Sequence, residues 1–199
     1  MTTTSFASAT LDRREVVAQI IQRVPQVLAV AGLGSSTYDL FAAGDRDRNF
    51  YLWGAMGGAA MIGLGLALAQ PQESVVVFTG DGEQLMGMGA LATIGAQQPA
   101  NLTLVVLDNG HFGETGMQQS HTHLSTDLTA VAQACSIRNA FRVHEAAGID
   151  QVVQAIQARQ GPSMAQILVK ADELPRALPS RDGVYIKNRV RQSLGLSTF

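Results

Sequence analysis

Two short, unbroken apolar runs, Val75-Val76-Val77-Phe78 and residues 102–107, run into the polar turns Gly80-Asp81-Gly82 and Asp108-Asn109-Gly110. Apolar runs of this length without alternation read as strands buried on both faces, the kind found in parallel sheets. Parallel strands need a crossover, and residues 84–96 supply one. Leu85, Met88, Leu91 and Ala92 recur there at three- and four-residue spacing, so they share one helical face. A strand, a helix and a second parallel strand bring both polar turns to the same sheet edge, where open α/β proteins bind ligands.

An Asp-Gly pair between alternating strands marks a hairpin. Here the segment after Gly82 is helical, so the two glycines have a different use: they let backbone N–H groups and the Asp81 side chain approach a charged group closely. Asp81 and the side-chain carbonyl of Asn109 are hard oxygen donors, the type Mg²⁺ takes when phosphates complete its shell. A helix starting near Glu83 adds a positive dipole end for an anion.

This order of strand, Gly-Asp-Gly, helix, strand and Asn resembles the thiamine diphosphate-binding motif, with residues 83–108 separating Gly82 from Asn109. By that resemblance, Asp81, Asn109 and the backbone carbonyl of His111 coordinate Mg²⁺, and Gly80, Gly82, Phe112 and Gly113 border the diphosphate. Glu83 departs from the pattern, because the residue after the tripeptide is usually small. Its carboxylate must point away from the anion or meet a cation, while its backbone N–H remains available.

The 199 residues make one domain of ordinary size, and a net charge of −2 gives no basis for binding nucleic acid or an anionic membrane. Cys135, the single cysteine, excludes an intrachain disulfide framework and an iron–sulfur cluster held by this chain alone. It suits the cytoplasm, and its Ala-rich surroundings read as core. Residues 1–10 lack the basic start and apolar middle of a signal peptide and read as a disordered lead-in. Residues 54–69 are apolar but glycine-rich and shorter than the roughly 20 needed to span a bilayer, so a buried helix is expected.

Residues 11–24 form an amphipathic helix stopped by Pro25, followed by a strand over 27–31. The turn Gly32-Leu33-Gly34-Ser35-Ser36-Thr37 then leads into a helix from Tyr38. It is an incomplete dinucleotide fingerprint, lacking the third glycine. Ser35 and Ser36 have two readings: helix capping, or, by the resemblance, contact with the diphosphate together with Gly34. The cluster Asp45-Arg46-Asp47-Arg48-Asn49 is either a solvated loop or a place where Arg46 or Arg48 meets a carboxylate, phosphonate or sulfonate of a substrate. After it, the resemblance assigns the aminopyrimidine ring of the cofactor to the Gly54 carbonyl and the Met56 side chain.

Residues 112–123 form a polar loop too long for a connector, in which Glu114, His121 and His123 are the candidates for proton transfer. The His-Thr-His spacing lacks a third ligand for zinc. A helix over 127–134 with Leu128, Val131 and Ala132 inward, a strand over 140–143, a helix over 149–158 and a strand over 165–169 complete an alternating order. Residues 11–173 are therefore expected to form a single doubly wound α/β domain, with a mostly parallel sheet flanked by helices. Residues 174–199, with a short helix over 185–194 carrying Lys187, Arg189 and Arg191, read as a docking arm or lid.

Over residues 13–169 the chain resembles the β subunits of sulfopyruvate decarboxylase and the related phosphonopyruvate decarboxylases. The segments that carry this are DRDRNFYLWGAMGGAAMIGLGLALAQ, GDG, GALATIGAQQPANLTLVVLDNGHFGETG and THTHLSTDL. The resemblance implies loss of CO₂ from a pyruvate bearing a sulfonate or phosphonate. It also implies a glutamate that activates the cofactor ring from a separate pyrimidine-binding domain. No candidate for that glutamate stands in this chain, so the expected partner is an α subunit that supplies it. The rival readings are another split thiamine diphosphate enzyme, such as a carboligase or an aryl or alkyl 2-oxoacid decarboxylase, and a non-catalytic cofactor-binding module.

Overall fold

The apolar runs pair side by side, as their lack of alternation requires. The computed structural model describes residues 9–198, so most of the lead-in expected over residues 1–10 lies outside the described residues. The strands, in chain order, are β1 (Leu28–Ala31), β2 (Asn49–Tyr51), β3 (Val75–Gly80), β4 (Leu102–Asp108), the two-residue β5 (His111–Phe112) and β6 (Gln118–Gln119), β7 (Asn139–Val143) and β8 (Ser163–Leu168). Six of them form one sheet in the order β2-β1-β3-β4-β8-β7, and every pairing in it is parallel. β5 and β6 make a separate antiparallel pair.

The helices are α1 (Arg13–Arg23), α2 (Ser35–Ala42), α3 (Ala59–Ala69), α4 (Asp81–Met86), α5 (Gly89–Gln97), α6 (His121–Leu124), α7 (Leu128–Ala134), α8 (Ile149–Ala158) and α9 (Gly183–Ser193). Successive strand residues point to opposite faces, and each face has its own core. Val76, Phe78, Val105 and Ile167 meet Val16, Ile20 and Ile21 of α1 and Val152, Val153 and Ile156 of α8. Val75, Val77, Leu104 and Met164 meet Leu64 of α3, Leu91 and Ile94 of α5 and Leu128 of α7. The expected doubly wound arrangement is thus present. Among the described residues no helix is long and apolar enough to cross a membrane.

The helix expected over 84–96 is two helices. Gly87 ends α4, Gly89 begins α5, and glycine inside a helix costs about 1 kcal/mol relative to alanine. The break also changes the buried face: Ala90, Leu91, Ile94 and Gly95 are inside, while Met88 and Ala92 are exposed. Cys135, expected in the core, is half-buried at the edge of the second cluster. Strand β2 follows the charge cluster and was not legible as a strand. α9 begins at Gly183, two residues earlier than expected, and is held against β2. Its Arg189 is buried, donates to Asp45 at 2.6 Å and to the Asn49 carbonyl at 3.1 Å, and lies between the rings of Tyr51 and Tyr185.

α1 is fixed to α2 by charge. Asp39, fully buried, accepts from Arg13 Nη1 and Arg14 Nε, each at 3.2 Å. Removing one member of a buried pair leaves an uncompensated charge. Asp39→Ala is therefore expected to lower stability by about 3 kcal/mol, read as a fall in the urea midpoint with an unchanged slope.

Candidate cofactor site

In a parallel sheet every strand points the same way, so the turns following β1, β2, β3 and β4 emerge at one edge. The register puts Ala31 beside Phe78 and Tyr51, and Gly80 beside Leu107. The two polar turns therefore meet. The Asn109 N–H and the Asp108 charge both act on the Asp81 carboxyl, the first lowering its pKa and the second raising it.

Both carboxylates are buried, and both are supplied with donors. Ser120 Oγ donates to Asp81, and Thr122 Oγ1 reaches Asp108 at 2.9 Å and Asp81 at 3.4 Å. Asp108 also accepts from Gln166 Nε2 at 2.6 Å and from the Gly110 N–H at 2.9 Å. Burial, and after it the Asp108 charge, push the Asp81 carboxyl up to about 7. Two carboxylates confined together make a site of concentrated negative charge, which a cation would relieve.

Around this pair lies a cleft of about 230 Å³, lined among others by Ser35, Ser36, Met56 and residues 80–83, with Asn109 and residues 111–115. Gly82 is needed by its geometry: a Cβ there would lie 2.7 Å from Cδ1 of Phe112. The Asn109 side-chain oxygen accepts from the His111 N–H at 2.9 Å, folding the turn so that the two residues stay together. Gly34 caps α2 in a left-handed conformation next to Glu114, so neither Ser35 nor Ser36 is the helix cap. Both lie in the first turn of α2, which begins three residues before the expected start. Met56 is 42% exposed, which excludes a core role, and Gly54 lies two residues before it. A larger cleft, about 300 Å³, lies between Arg23, Pro25, Glu73 and Gln157 at the opposite edge, away from these turns.

Not every expected site residue is here. Arg46 and Arg48 precede β2, and residues that precede a parallel strand lie at the amino edge. The Arg48 carbonyl accepts from Ala29 N–H at the start of the β1–β2 pairing, and Arg48 is ion-paired with Glu73. Arg46 donates to the Pro25 carbonyl at 2.6 Å and to Asn49 Oδ1 at 2.6 Å. The expected meeting of either arginine with a substrate anion in this cleft is therefore corrected: both are at the other end of the sheet. His121 and His123 are outside the cleft lining, edge-on to Phe112 and His111 at ring-centroid distances of 5.9 and 5.3 Å. Glu114 is at the rim, 3.3 Å from Arg176 of the tail. Ser120 and Thr122 went unnoticed in the sequence, where nothing marks a loop hydroxyl as the partner of a carboxylate some forty residues away.

Residues 32–167 match the family described as thiamine pyrophosphate enzyme, C-terminal TPP binding domain. The chain belongs to this family. It is 40% identical over 160 residues to a phosphonopyruvate decarboxylase of Streptomyces viridochromogenes, covering 78% of this chain and 39% of that protein. It is 36% identical over 159 residues to the sulfopyruvate decarboxylase subunit beta of Methanococcus maripaludis, covering 80% and 83%. The fold agrees with benzoylformate decarboxylase from Polynucleobacter necessarius at a TM-score of 0.70 and 17% identity, over 88% of this chain and 36% of that one. The chain thus spans under half of some relatives and most of the separately encoded β subunit. In this chain the edge that gathers Asp81 and Asn109 is the polar end of the cleft.

Thr122 is the shared donor between the two carboxylates. Thr122→Val keeps its shape and removes the hydroxyl, and is expected to cost about 1–3 kcal/mol, the loss of a buried hydrogen bond to a carboxylate. Thr122→Ser restores the hydroxyl and should recover most of that loss in urea unfolding.

Proposed function

We propose that this chain is the diphosphate-binding β subunit of a split thiamine diphosphate-dependent 2-oxoacid decarboxylase, acting on a 3-sulfono- or 3-phosphonopyruvate. The observation that carries the proposal is the adjacency of Asp81 and Asn109 at one sheet edge, in a chain that spans most of a separately encoded sulfopyruvate decarboxylase β subunit.

The donor set suits the cofactor's metal. Among the described residues no three His, Cys, Asp or Glu side chains are grouped to hold an ion alone. A carboxylate, an amide oxygen and a carbonyl are hard donors that leave room for outside oxygens, as Mg²⁺ prefers. In this reading Asp81, Asn109 and the His111 carbonyl hold Mg²⁺. Ser35, Ser36 and the N–H groups of Gly34, Gly82 and Glu83 face the diphosphate, with Gly80, Phe112 and Gly113 closing around it. The Gly54 carbonyl and Met56 orient the aminopyrimidine. When bound, the cofactor supplies the carbon nucleophile and electron sink that allow a 2-oxoacid to lose CO₂. Of the three candidates for proton transfer, Glu114 is the one that lines the cleft.

The other half of the site comes from a second chain. Met56 and Met86, both in the cleft lining, are 42% and 65% exposed. Exposed apolar side chains clustered at a cleft favour a protein partner. That partner is an α subunit carrying the pyrimidine-binding domain and its activating glutamate.

Three measurements test this reading. The chain should co-purify with the product of a neighbouring reading frame, and the complex should release CO₂ from 3-sulfopyruvate or 3-phosphonopyruvate faster than from pyruvate. Turnover of aryl or alkyl 2-oxoacids alone would point to the rival split enzyme, and cofactor binding without any turnover to the non-catalytic module. Asp81→Ala should weaken Mg²⁺-dependent thiamine diphosphate binding by about a hundredfold or more, as loss of a metal ligand does, with an unchanged circular dichroism spectrum.

A further inference from the structure

Glu83 follows the Gly-Asp-Gly tripeptide, and its carboxylate is buried and has no ion-pair partner among the described residues. It is 4% exposed. Oε1 accepts from the Gly57 N–H at 3.2 Å, and Oε2 from Thr79 Oγ1 at 3.1 Å. Burial pushes its carboxyl above the usual range, and the nearby N–H groups of Ala59 and Leu33 act against that rise. The donors come from three separated places: the turn after β1, the end of β3, and the segment between β2 and α3.

The fit is reciprocal. A Cβ on Gly32 would lie 1.6 Å from Oε2 of Glu83, so the first turn has a residue with no side chain where the carboxylate sits. A buried carboxylate is costly unless its acceptor positions are filled, and charge-assisted hydrogen bonds from backbone N–H groups are the strong ones that fill them. Two of these donors, Leu33 and Gly57, adjoin the two segments that the proposed function assigns to opposite ends of the cofactor. Leu33 is followed by Gly34, Ser35 and Ser36 of the diphosphate turn, and Gly57 directly follows Met56 of the pyrimidine segment.

We infer that Glu83 is a positioning residue: its carboxylate, seated against Gly32, ties the diphosphate turn to the pyrimidine segment and sets the distance between them. This inference rests on the cofactor reading above. Glu83 touches the cofactor through its backbone at most, and acts through the two segments it joins. A ligand that spans both segments depends on their spacing, and a ligand that occupies only one does not.

The test compares a whole ligand with a fragment. The full chain, in the complex in which it purifies, is titrated calorimetrically with thiamine diphosphate and Mg²⁺, and separately with inorganic diphosphate and Mg²⁺. Glu83→Gln keeps the shape and removes the charge, and it turns an NH₂ toward donors. It should weaken thiamine diphosphate by about tenfold or more and inorganic diphosphate by less than about threefold. Glu83→Asp keeps the charge but is too short to reach both segments, and should show the same split. In a Glu83→Ala background, Gly32→Ala should be tolerated, whereas alone it should compromise folding. Unchanged thiamine diphosphate affinity in either folded variant, or equal weakening of both ligands, overturns the inference, as does failure of both variants to fold. If the unmodified complex binds neither ligand, the cofactor reading itself falls, and the inference with it.

Discussion

The parallel pairing of β3 with β4 is the contact from which the site follows. Its register runs from Val75 beside Leu102 to Gly80 beside Leu107, and it sets how far each strand carries its polar turn beyond the sheet. A slip of one residue would exchange every core-facing side chain for its neighbour. Val76 and Phe78 would then face the helices that Val75 and Val77 now face, so the two distinct cores guard the register. Hydrophobic packing on both faces therefore determines an electrostatic fact at the edge, the adjacency of Asp81 and Asp108.

That adjacency is unfavourable by itself, and the rest of the edge is arranged to tolerate it. The long loop after β4 turns back through the β5–β6 hairpin and brings Ser120 and Thr122 to the carboxylates. From the other side, Gln166 of β8 donates to Asp108 and in turn accepts from Thr129 and Arg142. Arg142 ends the chain of contacts on Asp127 at 2.8 Å, near the surface. A polar network thus runs along one face of the sheet, from Asp108 of β4 across Gln166 of β8 to Arg142 of the edge strand β7 and on to Asp127. Partially satisfied networks of this kind cost more than apolar packing, which explains why the loop is long although it spans a short distance.

How much of this was legible depended on whether the deciding partner was local. The apolar runs announced β1, β3, β4 and β8, and the period of residues 149–158 gave the observed α8 because the pattern and the buried face coincide. Strand β2 was hidden because it has three residues and lies at the sheet edge, held partly by Arg189, 140 positions further on. Missing it had a consequence for function. Without a strand at residues 49–51, the charge cluster runs on in sequence to the segment of Met56 with nothing to separate them. With the strand in place, the arginines and Met56 are at opposite edges. The break in the crossover helix between β3 and β4 was visible in Gly87 and Gly89 and was outweighed by the helical period around them. For Glu83 the sequence narrowed the choice to two orientations, but the deciding neighbour, Gly32, stands 51 positions earlier with nothing to mark it.

The cleft is asymmetric, and the asymmetry bears on how it is completed. Its inner end is made of short turns rich in N–H groups, hydroxyls and carboxylates, each anchored by a strand of the same sheet. Its outer border carries methionines that are about half exposed, with no segment of the described chain covering them. Turns held by strands cannot shift independently, so the inner end is preorganised for a compact charged group. Methionine adapts its shape to what it meets and is common at surfaces that receive a partner. An inner end of fixed donors and an outer border of adaptable apolar side chains divide the labour of binding. On the proposed reading, the charged tail of the cofactor meets the turns of this chain, and enclosing its reacting end falls to the surface of the partner.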